Sequence, residues 1–304
     1  MTGLSVVVPA FNEARRIGRT IERLQQYLRT LPEPTEIIIV DDGSRDGTAA
    51  IVSAHAAPQP PVRLLQSAQN LGKGASVRRG VLAAAHQQVL FTDADLATPI
   101  EEVTKLRRAL RSGADVAVAS RRLAASDVQL GQPWPRRVAG ALFSKLVSTL
   151  LLPGISDSQC GFKLFTHAAA QDLFSHLWID GFSFDVELLV LARKRRYRVA
   201  EVPVVWKDGD QTHVRLLRDS LAMLRDVGRV RLRAARGAYD TVEEGTTLRP
   251  RRPIRRHTNT DRDGVPPVST ESGSRETHLD RPIDRDAGDR HPETRPGRHR
   301  SASP

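Results

Sequence analysis

The chain is short of cysteine, of aromatic residues, of acidic residues and of long apolar runs. Cys160 is the only cysteine in 304 residues, which excludes an intrachain disulfide and fits a reducing compartment. Aromatic residues make up 5% of the chain. Neither a zinc-finger spacing, an RNA-stacking aromatic signature nor a DNA-reading helix is recognisable, which argues against nucleic acid as a partner. No run approaches the roughly 18 consecutive apolar residues that cross a bilayer. Leu4 to Val8 is too short for the apolar part of a secretory leader and runs straight into a motif. These absences predict a cytoplasmic protein whose contact with any membrane is peripheral, on the cytoplasmic face.

The 35 Asp and Glu face 46 Lys and Arg. Residues 241–304 hold 13 of the basic and 11 of the acidic residues, so 33 and 24 remain in residues 1–240, and the surplus of +9 belongs there. A basic body suits nucleic acid, anionic lipid or phosphorylated small molecules, and charge alone does not choose among them. Residues 241–304 contain no aromatic residue and few large aliphatics among many prolines and glycines. Such a composition cannot repay its ordering entropy, so a folded domain over 1–240 and a disordered polar tail over 241–304 are predicted.

Within the first 120 residues short aliphatic runs alternate with helical patterns. Strands are predicted at Leu4 to Val8, Glu36 to Val40, Val62 to Leu65, Val89 to Phe91 and Asp115 to Ala119. Helices are predicted through Ile17, Ile21, Leu24 and Leu28, then at Thr48 to His55, Ala75 to Ala85 and Glu101 to Leu110. Alternation of this kind predicts an α/β fold with a mostly parallel sheet flanked by helices. Further on come a helix-like run from Arg136 to Leu152, a strand at Val199 to Val205, and an arginine-studded helix from Val214 to Ala235 with Leu217, Leu221, Leu224 and Val227 on one face.

In an open sheet of this kind ligands bind beyond the carboxyl ends of the strands. The residues there are polar: PAFNE (Pro9 to Glu13), DDGSRDGT (Asp41 to Thr48), TDADLATP (Thr92 to Pro99) and SRR (Ser120 to Arg122). Asp93 and Asp95, one residue apart at a strand end, can bind Mg2+ or Mn2+ that also holds a diphosphate. Carboxylates at Asp41 and Asp42 can accept hydrogen bonds from a base or ribose. Asp42, Ser44 and Asp46 equally suit a turn that caps the next helix. Lys73, in the glycine-rich helix start NLGKGASVRRG, can reach a phosphate or the donor sugar, or the glycines can simply end a turn. Cys160 has no histidine arrangement beside it and reads as a small buried residue.

Taken in order, VVVPAFNE, IIIVDDGSRDGT, NLGKGASVRRG and TDADLATP closely resemble the processive and lipid-linked enzymes of glycosyltransferase family two. SDSQCGFKLF, FSFDVELL and EVPVVWKD narrow the resemblance to the dolichyl-phosphate β-glucosyltransferase and polyprenyl-phosphate mannosyltransferase branch, over Leu4 to about Arg236. The resemblance implies a GT-A fold and inverting transfer of a hexose to a polyprenyl or dolichyl phosphate. UDP-glucose is favoured as donor, with a GDP-mannose-dependent mannosyltransferase as the alternative. It also implies that Pro9, Phe11, Glu13 and Asp42 hold the nucleoside, that Asp93 and Asp95 engage the metal and diphosphate, and that Ala94 lies against the nucleotide through its backbone. Arg121 then contacts the phosphates or the acceptor, and Asp157 lies near the acceptor.

Relatives carry Gly-Ser-Lys-Val where this chain reads Gln211, Thr212, His213, Val214. His213 would bring a weaker, pH-dependent charge to the diphosphate, or Arg215 would replace it. Glu187 reads as structural, and Asp185 suits either a helix cap or a site role. With a membrane-embedded acceptor implied, Arg136, Arg137 and Lys145 or the arginines from Arg215 to Arg236 are candidates to lie on anionic lipid. A reading of another class, a non-catalytic membrane- or partner-binding protein on the same fold, has no need of intact Asp42, Asp93, Asp95 and Asp157.

Overall fold

The computed structural model describes residues 3–55, 59–129, 145, 147–207 and 216–240, with backbone alone over 216–222. All lie within one unit, Met1–Thr260. The strands are β1 (Leu4–Ala10), β2 (Thr35–Asp41), β3 (Val62–Gln66), β4 (Gln88–Thr92), β5 (Val116–Ser120), β6 (Asp127–Gln129), β7 (Phe162–Thr166), β8 (Val199–Pro203) and β9 (Val205–Lys207). Seven form one sheet in the order β3-β2-β1-β4-β7-β5-β8, and β6 pairs with β9 in a second. The helices are α1 (Ile17–Leu28), α2 (Thr48–Ala54), α3 (Lys73–Leu82), α4 (Val103–Arg111), α5 (His167–Ser175), α6 (Phe184–Lys194) and α7 (Leu216–Ala235).

The runs VVV and III are continuous because both faces of the sheet are covered. In β1 and β2, Val7 and Ile38 pair and enter the core shared with α3, α5 and α6, whereas Val6 and Ile37 pair and enter the core shared with α1 and α4. The period of α1 follows from the same burial: Ile17, Ile21, Leu24 and Leu28 all face the sheet.

One strand was not expected, and two expectations are corrected. The segment after Gly161 forms β7, which inserts between β4 and β5 and runs antiparallel to both. The run Val199 to Val205 divides, with β8 in the main sheet and β9 beside β6. On α7 the buried stripe centres on Val227 and Val230, which leaves Leu224 past its edge and exposed; the side chains of Leu217 and Leu221 lie outside the described residues. Of the helix expected from Arg136 to Leu152, residues 145 and 147–150 are described and helical, Leu151 and Leu152 fall past its end, and Arg136 and Arg137 lie outside the described residues.

The topology sets the site. After β1 the chain adds β2 and β3 on one side, then returns to place β4 on the other, so a crevice opens beyond the carboxyl ends of β1 and β4. Because β7 runs the opposite way, the residues that lead into it arrive at that same rim.

Candidate active site

The loops after β1 and β2 are tied to each other. Asn12 donates its backbone N–H to Ser44 Oγ at 2.8 Å and accepts from Arg45 N at 2.9 Å. Glu13 N donates to Thr48 Oγ1 at 2.8 Å, and Ala14 N to Asp46 Oδ2 at 3.0 Å. Ser44 and Asp46 therefore build the loop. Asp42 accepts from Leu71 N at 2.8 Å and Gly72 N at 2.9 Å, one on each carboxylate oxygen, and so pins the start of α3 to the end of β2. Asp41 is buried and accepts from Ser44 N through Oδ1, while its Oδ2 has no partner. Phe11 stands exposed at the rim beside partly buried Pro9, and Glu13 is paired with Arg16 at 2.6 Å.

Beyond β4 the chain turns tightly, with Leu96 at φ +48°. Thr20 of α1 donates to the Ala94 carbonyl at 2.6 Å, which holds Ala94 buried. Asp93 has its N–H on the Gly161 carbonyl at 3.0 Å, and its Oδ1 receives Lys73 Nζ at 2.7 Å. A Cβ at Gly161 would stand 1.9 Å from Asp93 Oδ2, so only glycine lets the carboxylate lie against β7. Asp95 is exposed to solvent at its edge, yet the protein packed around it and then the neighbouring Asp93 charge push its carboxyl above the ordinary value, against the pull of Ala97 N–H, Lys73 and Arg16. Burial works against the charge of Lys73, yet Asp93, Asp185 and Asp95 outweigh it and raise its pKa.

Two carboxylates that repel at an accessible strand end form a hard-oxygen donor set which a divalent cation would relieve. Among the described residues no group of three or more His, Cys, Asp or Glu makes a closed cage. Mg2+ and Mn2+ take oxygen ligands from phosphate and water as well as from carboxylates, and two aspartates are chemically suited to contribute to such a set.

Arg121, directly after β5, grips Asp157 with Nε at 2.7 Å, Nη2 at 2.9 Å and its backbone N–H at 3.1 Å. Asp157 is completely buried, and Arg121 lowers its carboxyl to about 2 despite the cost of burial. Glu201 of β8 supports the same turn by accepting from Ser156 N at 2.9 Å and Asp157 N at 2.8 Å. The Trp206 ring lies 5.5 Å from the guanidinium, on a strand fixed by Lys207 N to the Ala97 carbonyl at 2.7 Å. Asp157 is thus expended on Arg121, and any influence it has on an acceptor passes through that guanidinium. Cys160 is buried, and burial pushes its thiol up to about 11, too high for a nucleophilic thiolate.

Asp93, Asp95, Ala94 and Lys73 converge beyond β4. Arg121 joins them across the rim, close enough to feel Asp93 electrostatically. Asp42 serves the neighbouring loop, and His213 and Arg215 lie outside the described residues. Glu187 is structural: it accepts from Trp178 N, Ile179 N and Tyr239 Oη. Asp185 pairs with Lys163, a fully buried lysine of β7, at 2.6 Å. Sequence reasoning missed Lys163, Gly161, Glu201 and Trp206 as supports of the site. Of these only Lys163 left a signal, a lysine within an otherwise apolar run, and nothing in the sequence tied it to Asp185, 22 residues away.

Residues 5–174 match the model of Glycosyl transferase family 2. The chain is 36% identical over 248 residues to the dolichyl-phosphate beta-glucosyltransferase of Dictyostelium discoideum, covering 78% of this chain and 76% of that protein. Its likeness to the human dolichyl-phosphate beta-glucosyltransferase is 33% over 267 residues, with 78% and 77% covered. Among solved structures, glucosyl-3-phosphoglycerate synthase from Mycobacterium tuberculosis, in complex with Mn2+, UDP-glucose and phosphoglyceric acid, superposes with a TM-score of 0.56 at 22% identity, covering 76% of this chain and 79% of that one. Mannosyl-3-phosphoglycerate synthase from Rubrobacter xylanophilus gives 0.58 at 19% identity, covering 82% and 79%. These two likenesses establish the GT-A fold.

Proposed function

The chain belongs to glycosyl transferase family 2, and on that premise we propose that it transfers glucose from UDP-glucose to the phosphate of a polyprenyl or dolichyl lipid, with inversion. The observation that carries this reading is the pairing of opposite charges on one rim: Asp93 and Asp95 beyond β4, and Arg121 held by buried Asp157 beyond β5. One side suits a metal-bound diphosphate, and the other suits an anionic acceptor.

In this reading Pro9, Phe11 and Glu13 line the nucleoside side, with Asp42 holding the loop between them and α3. Asp93 and Asp95 would hold Mg2+ or Mn2+, which supplies positive charge for the departing nucleoside diphosphate. Arg121 orients the acceptor phosphate so that one of its oxygens attacks the anomeric carbon as the bond to the diphosphate breaks. No general base is needed, because a phosphate monoester is already anionic near neutral pH. Positioning and charge stabilisation carry the rate enhancement.

Residues 1–240 are proposed as the catalytic domain and 241–304, which lie outside the described residues, as a polar tail. A lipid acceptor would put the work at a membrane surface, which this reading takes to be the cytoplasmic face. Exposed Leu71, Trp178 and Phe182, and Leu224 and Leu232 among the arginines of α7, support that contact. No helix among the described residues is long and apolar enough to cross a membrane.

The test is transfer of radiolabel from UDP-glucose and from GDP-mannose to polyprenyl phosphate in detergent, with and without Mg2+ or Mn2+, beside Asp95→Ala. Metal-dependent labelling of lipid from UDP-glucose, lost in the variant, is expected. Labelling from GDP-mannose alone would change the donor, and folded protein that labels lipid from neither would overturn the reading.

A further inference from the structure

The Lys73 and Asp93 pair has a consequence for how the metal arrives. Asp93 is anchored through its backbone: its N–H is fixed on the Gly161 carbonyl, and its Oδ2 lies against the Gly161 Cα, where even a methyl group has no room, while 35% of its side chain is exposed. Lys73 is the adjustable member. Its four-carbon stem starts in the first turn of α3, its side chain is 23% exposed, and its ammonium reaches Asp93 Oδ1 at 2.7 Å, where a divalent ion would also bind. The buried carboxylate close to Lys73, Asp185, is already engaged by Lys163 at 2.6 Å. Further positive charge faces the same pair of aspartates, Arg16 toward Asp95 and Arg121 toward Asp93.

A free divalent ion entering this site would meet an ammonium on one of its two carboxylates, and among the described residues the carboxylates whose charge acts on that ammonium are Asp93 and Asp95, the metal's own pair, and Asp185, already held by Lys163. A nucleoside diphosphate changes the balance, because its phosphate oxygens offer Lys73 a new partner and themselves supply metal ligands. Building on the donor chemistry proposed above, we infer that Lys73 is the resident counter-cation of Asp93 and keeps the metal position closed to a free divalent ion until a nucleoside diphosphate draws the ammonium away. Metal and nucleotide then enter as one unit, and metal occupancy reports donor occupancy.

The test is direct Mn2+ binding, read from the loss of the free-ion EPR signal, on the full chain with and without UDP. Wild type, Lys73→Met, Lys73→Arg and Asp93→Asn are compared. Lys73→Met is expected to bind Mn2+ alone about tenfold tighter than wild type or more, the smaller end of what a neighbouring unit charge does to the cation affinity of a carboxylate. In wild type UDP should strengthen Mn2+ binding, and in Lys73→Met that gain should shrink. Lys73→Arg should behave as wild type, and Asp93→Asn should bind weakly in both conditions. If Lys73→Met melts early, Lys73→Gln provides the same neutral side chain with a hydrogen-bonding end. Equal or weaker Mn2+ binding by the neutral variants without UDP overturns the inference. The Mn2+-alone arm is independent of sugar transfer, so failure of the lipid-labelling reaction and failure of this inference remain distinguishable.

Discussion

At the residue scale the site depends on charges that are buried only because each has a partner. Asp157 has no exposed surface, and Arg121 does most to make its ionised form tolerable, with Gln159 N donating to Oδ1 at 3.2 Å. Breaking a buried ion pair from one side usually costs 3–5 kcal/mol, and Asp157→Ala belongs near the lower end, about 3 kcal/mol, because Arg121 at 29% exposure can recover some hydration. Urea unfolding checks the loss, and kcat should fall as well because the guanidinium loses its orientation. The pH dependence follows from the lowered carboxyl. Asp157 ionises near 3.8 when unfolded and about 2 when folded, so its contribution is fully present above pH 4 and disappears as pH falls through 2. Acid unfolding of wild type and Asp157→Asn should therefore converge at the acid end. Gly161→Ala acts by geometry instead. A methyl group 1.9 Å from Asp93 Oδ2 must displace the carboxylate, and an error of about 1 Å at a reacting centre can cost about 10²-fold in rate. Steady-state kinetics should show that loss with the melting temperature nearly unchanged; near-normal turnover would mean that Asp93 need not sit where it does.

At the scale of elements, Glu187 of α6 joins three parts of the fold. It holds the backbone of Trp178 and Ile179, and through Tyr239 Oη it holds the segment after α7. The neighbouring Asp180 carbonyl receives Ala75 N and closes over Gly72, whose φ of +106° no side chain would favour. Glu187→Ala leaves three donors without an acceptor and should cost about 3 kcal/mol at 1–3 kcal/mol for each unsatisfied buried group, given partial rescue by water. Because the same segment seats Lys73, UDP affinity measured by calorimetry should fall with it. The strands and strand-end loops of the first half were legible because hydrophobic runs and polar turns alternate there without interruption. β7 was not, since Lys163 interrupts its apolar pattern and a buried lysine is explained only by Asp185, 22 residues away. Asp157 was a candidate from the sequence, but its place as the support of Arg121 was not legible, because sequence gives no sign of which charge a carboxylate faces. The face expected for α7 was right at Val227 and wrong at Leu224 for a related reason: the leucine spacing extends the stripe to Leu224, while packing selects Val227 and Val230.

At the scale of the whole molecule, charge and exposed apolar surface bear on where the enzyme works. The surplus of +9 falls in residues 1–240, against +2 in residues 241–304, where 13 basic and 11 acidic residues nearly cancel. Each Lys or Arg close to an anionic bilayer contributes about 1 kcal/mol, and that attraction fades beyond the Debye length of about 8 Å at physiological salt. Trp178 is half exposed with Arg233 at 4.7 Å from its ring, so an amphipathic aromatic and a cation are presented together beside the loop that seats Lys73. Surface binding there would bring a lipid phosphate toward the rim that holds Arg121. The full chain and a chain cut after Asp240 should therefore sediment equally with vesicles containing phosphatidylserine, and both should be released by about 0.5 M salt as screening shortens the field. Trp178→Ala should weaken binding at low salt while UDP affinity is kept. If the shortened chain no longer sediments, the tail is what attaches the enzyme to its membrane, and the basic surplus of the folded part serves the soluble donor instead.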